Sequence, residues 1–125
     1  METFAVASLE VQEKELVLRE NPTLADLQRY VVSLKKLRSF HTRPDHAYVL
    51  LTKEVGELAG VIRKTWLTPD DVPAEVREEI GLELADILIY FLDIANQYGV
   101  QVEQAFRKKE EQNKRRHWPE YYHSE

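Results

Sequence analysis

Apolar residues recur every three or four positions in four separate stretches of the chain. On a helix, residues at that spacing share one face, so the pattern predicts amphipathic α-helices. The predicted helices cover about residues 23–38, 46–66, 74–98 and 101–116. The sequence therefore predicts an all-α fold, a bundle of four to five helices.

Residues at the predicted helix ends support these boundaries. Thr23 is placed to cap the first helix, with Asp26 three positions later as in a capping box. Pro44 disfavours helical conformation in the residue before it, and Asp45 can cap the second helix. Gly99 follows the third helix, where glycine commonly ends a helix.

The length of 125 residues suits one domain with its own core and is too short for two of usual size. Residues 23–119 form the predicted domain. Residues 1–22 are interpreted as an N-terminal extension of unassigned role, because residues 8–20 fit a helix whereas residues 13–20 fit a short strand equally well. Residues 120–125 are interpreted as a C-terminal tail.

The third predicted helix is apolar on nearly every side between residues 84 and 95. A helix that is apolar on more than one face must be buried on more than one face. Four helices of this size cannot easily surround it. We therefore expect the bundle to be completed by homo-oligomerisation, as a homodimer or a homotetramer.

Four carboxylates interrupt the apolar stripes of the second and third helices. Glu54 lies within one stripe, with Glu57 one turn further along; Glu83 and Asp86 repeat this arrangement on the next helix. The apolar members of the two stripes are Ala47, Leu50, Leu51, Leu58, Val61 and Ile62, and Ile80, Leu84, Ile87, Leu88 and Phe91. Buried acids are costly unless a positive group meets them, so the four acids are candidate ligands of a cation.

The four acids offer oxygen ligands only, which favours a hard cation: Mg²⁺ first, with Mn²⁺ as an alternative. Such a site indicates metal-assisted attack of water on phosphorus. Di-iron bundles use two Glu-x-x-His motifs, whereas this chain has a single such pattern, at Glu120 and His123. Ferritin-like chemistry is therefore disfavoured.

Charge is distributed unevenly around a net value of −5. Residues 70–86 hold seven acids and one arginine, and residues 107–116 hold six bases and two acids. An acidic cluster followed by a basic arm fits a metal–polyphosphate ligand, because the acids hold cations and the bases hold phosphate oxygens. It fits a nucleic-acid-binding domain poorly, because such domains are usually basic overall.

The sequence has no cysteine, so it has no disulfide and no thiolate metal site. It lacks an apolar run of the roughly 18 residues needed to span a membrane, and its first residues do not resemble a secretion signal. We expect a cytoplasmic protein that does not insert in a membrane.

Three motifs together make the chain similar to the MazG-like all-α nucleoside triphosphate pyrophosphohydrolases. The first is E-x-x-E, supplied by Glu54 and Glu57, and the second is E-x-x-D, supplied by Glu83 and Asp86. The third is a lysine, an asparagine and an arginine on the last helix. Lys109, Asn113 and Arg116 match that third motif. Among these families, the chain most resembles the dCTP pyrophosphatase branch.

The resemblance implies Mg²⁺-dependent hydrolysis of (deoxy)nucleoside triphosphates to the monophosphate and pyrophosphate. It implies that the four motif acids hold the metal ions, and that one of them orients or deprotonates the water that attacks the α-phosphate. Lys109, Asn113 and Arg116 are implied to bind phosphate. Phe40 and His41 match an aromatic pair that lines the base pocket in the dCTP pyrophosphatase branch, and Trp66 is a further candidate for that pocket.

Other interpretations of the same residues stay open. The basic trio also fits a solvated helix end, Phe40 and Trp66 fit a place in the core, and His41 fits an exposed position on the surface. Lys53 stands where many family members carry another acid, and Asp45 stands where the dCTP pyrophosphatase branch tends to carry asparagine. The alternative function is a non-catalytic nucleotide or metal sensor, or an oligomerisation module, on the same helical bundle.

Overall fold

The structure, a computed structural model, describes residues 16–64 and 69–119. This part of the chain holds four α-helices and no strand, which confirms the predicted all-α class. The helices are α1 (Leu24–Leu37), α2 (Pro44–Arg63), α3 (Ala74–Gln97) and α4 (Val102–Lys114), with a 3₁₀ turn (Pro69–Asp71) between α2 and α3. The predictions for residues 1–15, Trp66 and the tail lie outside the described residues.

The capping box at the start of α1 is confirmed. The hydroxyl of Thr23 accepts a hydrogen bond from the backbone N–H of Asp26 at 3.1 Å. The Asp26 carboxylate accepts one in return from the backbone N–H of Thr23 at 2.9 Å. Two backbone donors at the helix start are satisfied in this way, which fixes the boundary that the sequence predicted.

The predicted start of α2 is wrong by two residues. The helix begins at Pro44, and Arg43 rather than Asp45 is the N-cap residue. Proline suits the first helical position because its φ angle is already helical and its missing N–H would have had no partner there. Asp45 lies in the first turn, where it pairs with Arg43 at 3.0 Å.

The end of α3 follows the prediction. Tyr98 is the C-cap residue, and Gly99 has a φ angle of 65°, a left-handed conformation that costs glycine little. The backbone N–H of Val100 then bonds to the carbonyl of Ala95 at 2.8 Å. The turn redirects the chain into α4.

Helices α2 and α3 form a hairpin with the most extensive contact in the described structure, and α3 also packs against α1. A small core lies between α1 and α3, built on Val31, Leu34 and Leu92. The hairpin is what places the four motif acids on facing helices.

Gln28, on α1, holds the α3–α4 turn in place. Its side-chain amide donates to the carbonyl of Val100 at 2.8 Å and its oxygen accepts from the backbone N–H of Val102 at 3.1 Å. Asn96 bonds to the same glutamine through both its side-chain atoms. Helix α4, which has no side-chain cap of its own, is therefore capped by a residue from α1.

Much of the apolar stripe on α3 is uncovered in a single chain. Leu84 is 50% exposed and Phe91 is 46% exposed, and Leu82 and Leu88 are exposed as well. Apolar patches of this kind mark surfaces that another protein or element covers. None of the helices described is both long and apolar enough to cross a membrane.

Candidate metal centre

The α2–α3 hairpin brings three of the four motif acids together. Glu54, Glu57 and Glu83 each offer a carboxylate oxygen, and these three oxygens lie within 4.8 Å of one another. Glu54 and Glu57 are one turn apart on α2, so both project toward the facing helix. The structure thus supports the expectation that the two motifs converge.

Two oxygens of this acid trio (Glu54, Glu57 and Glu83) are buried without a partner. Neither Glu54 Oε2 nor Glu83 Oε2 has a hydrogen-bond donor among the described residues. A buried polar atom that lacks a partner costs free energy, and a buried carboxylate costs more. Unsatisfied carboxylate oxygens within one acid cluster fit a divalent cation, because it supplies the missing positive charge.

The pKa of Glu54 reflects the same repulsion. Burial is the main cause that raises this pKa to about 7, and the adjacent carboxyls of Glu83 and Glu57 and the charge of Asp86 raise it further. A carboxyl with such a pKa holds its proton more readily than a solvated one. A cation beside Glu54 would therefore stabilise its charged form.

Asp86 lies outside the trio and lines a neighbouring cavity. This cavity has a volume of about 350 Å³ and lies between α1, the connector before α2, α2 itself and α3. Tyr90, one turn after Asp86, forms part of its wall. Burial raises the pKa of the Tyr90 hydroxyl, and the charges of Glu54 and Asp86 add to that effect. The cavity therefore opens directly beside the acid trio.

A buried ion pair also lines this cavity. Lys35 Nζ, from α1, lies 2.6 Å from Asp93 Oδ1 on α3. Asp93 Oδ2 accepts a further hydrogen bond from Gln97 Nε2 at 3.1 Å, and Thr42 Oγ1 lies 3.5 Å from it. Both carboxylate oxygens of Asp93 are therefore satisfied, in contrast to those of Glu54 and Glu83.

Of the three predicted base-binding residues, Phe40 lines the cavity and His41 does not, whereas Trp66 is not among the described residues. Phe40 lines the cavity beside Asp86 and is half exposed, so it is available to a ligand there. His41 is exposed and is absent from the cavity lining. Trp66 lies outside the described residues. Phe40 is thus the candidate aromatic residue that the structure brings to the acids.

The basic trio does not contact the acids. Lys109 lines an apolar groove between α4 and the α2–α3 hairpin, and the Arg116 guanidinium lies 4.5 Å from the centre of the Trp118 ring. Within residues 16–64 and 69–119, no ion pair joins Lys109 or Arg116 to the four motif acids. Asn113 Oδ1 is buried and has no hydrogen-bond partner in the same residues. The phosphate-binding role of the trio remains a prediction.

Among the described residues, one basic side chain pairs with the acid trio. Lys53 Nζ lies 3.5 Å from Glu57 Oε1, and both side chains are largely exposed. This lysine stands at the position where the resemblance leads one to expect another acid. Here it neutralises part of the charge of Glu57.

The cavity residues that sequence reasoning missed are Lys35 and Asp93. A signal for Asp93 was present, because it is the one acid that follows Asp86 in an otherwise apolar stretch of α3, seven positions on and therefore on the same face. No comparable signal marked Lys35, which is one of two adjacent lysines on an amphipathic helix. Only the packing of α1 against α3 distinguishes the two lysines.

Two comparisons relate this chain to known proteins. The family model of the MazG nucleotide pyrophosphohydrolase domain matches residues 43–119, which is more than half of the chain. The chain is also similar to dCTP pyrophosphatase 1 of Bos taurus, with 36% identity over 105 residues. That match covers 77% of this chain and 60% of the relative. The family match includes both acidic motifs and the basic trio.

Proposed function

Because the chain belongs to the MazG nucleotide pyrophosphohydrolase family, we propose that it hydrolyses nucleoside triphosphates to the monophosphate and pyrophosphate. The relative is named a dCTP pyrophosphatase, which supports a deoxynucleoside triphosphate as substrate. The chain spans 60% of the length of that relative. The identity of the substrate is therefore proposed here together with the activity.

The observation that carries the proposal is the acid trio with its two unpartnered buried oxygens. A folded protein rarely leaves such groups unsatisfied unless a ligand completes them. Glu54, Glu57 and Glu83 would hold Mg²⁺ or Mn²⁺, with Asp86 as a fourth ligand from the edge of the cavity. A bound divalent cation would polarise the phosphoryl oxygens and lower the pKa of water.

The reaction breaks the bond between the α-phosphorus and the oxygen that bridges it to the β-phosphate. Water attacks the α-phosphorus, one motif carboxylate orients it or accepts its proton, and pyrophosphate leaves. The cavity beside Asp86 takes the nucleoside, with Phe40 stacked on the base. Lys109, Asn113 and Arg116 neutralise or contact the phosphates.

Pyrophosphate release from a panel of deoxynucleoside triphosphates with Mg²⁺ tests this proposal. We expect Glu57→Gln and Asp86→Asn each to lower kcat/KM by about 100-fold or more, because each removes a charge that stabilises the cation. The matched control is Glu78→Gln, an exposed acid on α3 outside both motifs. It should leave kcat/KM within about twofold.

An inactive wild type across the whole panel would overturn the proposed activity. Full activity of both motif variants would overturn the assignment of the acids. Urea unfolding of each variant accompanies the assay, so that a loss of activity is not mistaken for a loss of fold.

We further propose that the exposed apolar surface of α3 is covered by a second copy of this chain. A groove of about 600 Å³ runs between α4 and the hairpin, lined by side chains such as Tyr48, Phe91 and Phe106. Tyr48 and Phe106 are more than half exposed. A helix from another copy would fill the groove and bring α4 into a four-helix bundle, in a homodimer or homotetramer.

Sedimentation velocity tests the assembly. Phe91→Asp places a charge in the groove and should convert an oligomer to monomers at micromolar concentration, because the charge would be buried without a partner. Lys108→Asp, on the exposed side of α4, is the control and should keep the wild-type sedimentation coefficient. A monomeric wild type would contradict the proposal.

The Lys53–Glu57 pair favours a second candidate, a sensor that binds nucleotide and metal without turnover, because it weakens the charge available to a cation. Calorimetry separates the two functions. Mg²⁺-dependent nucleotide binding without pyrophosphate release supports the sensor, whereas release of product supports the enzyme.

A further inference from the structure

The cavity of about 350 Å³ has two chemically different groups in its wall. Asp86, which follows Glu83 by one turn of α3, and the Lys35–Asp93 ion pair both line it. Asp86 and Asp93 are seven residues apart on one face of α3, so the rise of the helix separates their Cα atoms by about 10 Å. A nucleotide whose phosphates lie at the acids would therefore extend its base toward the ion pair.

Lys35 is the member of the pair that a ligand can reach. Its side chain keeps 19% of its exposure, whereas that of Asp93 keeps 6%. An ammonium carries three N–H groups. Asp93 Oδ1 accepts one at 2.6 Å and the backbone carbonyl of Thr42 lies 3.5 Å away. These two oxygens are its acceptors within the described part of the chain, which leaves one donor for the cavity.

The need to join α1 to α3 does not explain this ion pair. Replacing a buried ion pair by apolar residues of similar volume is often neutral or stabilising, so packing alone would not require these charges. The pair also stands at a cavity wall rather than inside the core built on Val31, Leu34 and Leu92. A charge held at the wall of a cavity is placed to meet a ligand.

We propose that Lys35, held in position by Asp93, reads the nucleobase by donating a hydrogen bond to a keto oxygen. The inference rests on the proposed function, because it takes the ligand to be a nucleotide. Cytosine, thymine and guanine carry a keto oxygen. Adenine has no keto oxygen: its amino group cannot accept a hydrogen bond from an ammonium, and its acceptors are ring nitrogens at other positions. Lys35 therefore discriminates against adenine.

Asp93 acts through Lys35 and is a positioning residue. Its two oxygens are occupied by Lys35 on one side and by Gln97 and Thr42 on the other, so it offers nothing further to a base. It fixes the direction of the ammonium and lowers the cost of burying it. Phe40, at the rim of the same cavity, would add stacking that does not depend on the identity of the base.

Binding of free deoxynucleosides, measured by NMR titration without metal, tests the inference apart from turnover. We expect wild type to bind thymidine and deoxycytidine about tenfold more tightly than deoxyadenosine, roughly the effect of one hydrogen bond to a charged donor. The double variant Lys35→Met/Asp93→Leu keeps roughly the volume of the two side chains. In this variant the ratio of the affinity for thymidine to the affinity for deoxyadenosine should fall close to one.

One single variant tests the inference independently, and a second single variant is its control. Lys35→Gln replaces the ammonium by an amide that both donates and accepts, so deoxyadenosine should gain affinity relative to thymidine. Lys36→Met, at the neighbouring exposed lysine, should keep the wild-type ratio. Because Lys35→Gln also tests the inference, the test does not depend on the folding of the double variant.

Each outcome decides the question. A wild type that binds no deoxynucleoside, or binds all of them equally, overturns the inference. So does a preference that survives in both Lys35→Met/Asp93→Leu and Lys35→Gln. The protein could discriminate between nucleosides and yet release no pyrophosphate from any triphosphate. That result would support the role of Lys35 in base recognition and overturn the proposed enzymatic activity.

Discussion

Helix α3 carries buried carboxylate oxygens at two places, and the two places differ in whether these oxygens have hydrogen-bond partners. Asp93 is 4% exposed, and both its oxygens are met by Lys35, Gln97 and Thr42. Glu83, ten residues earlier, joins Glu54 in a cluster where one oxygen of each acid is buried without a partner. The same helix therefore holds one acid site that is complete and one that is not.

The difference indicates where a ligand belongs. A buried carboxylate is tolerated when donors surround it, and the protein supplies those donors itself around Asp93. Around the acid trio the described residues supply only Lys53, which contacts the exposed Glu57 and neither of the buried oxygens. The incomplete site is where an external cation gains most. At the complete site, the remaining N–H of the Lys35 ammonium is available to donate a hydrogen bond to a ligand.

The largest expected effect comes from breaking the complete site. Asp93→Leu leaves the Lys35 ammonium without its carboxylate and should lower the free energy of unfolding by about 3 kcal/mol. Lys35→Met/Asp93→Leu removes both charges and should stay within about 1 kcal/mol of wild type. Urea unfolding measures both. Equal destabilisation of the single and the double variant would show that packing around Asp93, and not charge, sets its contribution.

A smaller effect, of about 1–2 kcal/mol, is expected from the incomplete site as pH changes. The pKa of Glu54 is about 7 in the folded protein and ordinarily 4.5, so between these values the folded state binds more protons than the unfolded state. The free energy of unfolding of the metal-free protein should therefore rise as pH falls from about 7 toward 4.5. Urea unfolding in a chelator at pH 5.5 and pH 7.5 measures this.

Glu54→Gln is the control for this pH dependence. It carries no titrating group, so the rise in stability toward pH 5.5 should disappear and the stability at pH 7.5 should increase. Asp26 and Asp45 have pKa values lowered by hydrogen bonds, so they titrate below this range and act in the opposite direction there. A wild type whose stability falls between pH 7.5 and 5.5 would contradict the electrostatic description of the acid trio.

The smallest effect is expected at Lys53. Exposed ion pairs contribute about 0.2–1 kcal/mol, so Lys53→Gln should tighten the binding of Mn²⁺ by about two- to threefold. Calorimetry at low salt measures the change, and it should shrink at high salt because exposed charges are screened. Lys64→Gln, whose lysine lies 4.0 Å from Glu79, is the matched control and should leave Mn²⁺ binding unchanged.

Local patterns in the sequence were sufficient for the helices and for the approach of Glu54, Glu57 and Glu83. Helical periodicity, the capping box at Thr23 and the glycine at Gly99 act over a few residues, and the structure confirms each. The start of α2 was missed because two local signals compete there, and Pro44 at the first helical position prevails over Asp45 as a cap.

Only the tertiary structure decided how the acids differ. The sequence grouped Asp86 with the other motif acids, whereas packing turns it toward the cavity and leaves three carboxylates together. No local pattern distinguishes Lys35 from Lys36. The two differ because the packing of α1 on α3 places Lys35 against Asp93. Whether a buried charge is satisfied depends on residues far away in the chain, 58 positions for Lys35 and Asp93, and no local pattern contains that information.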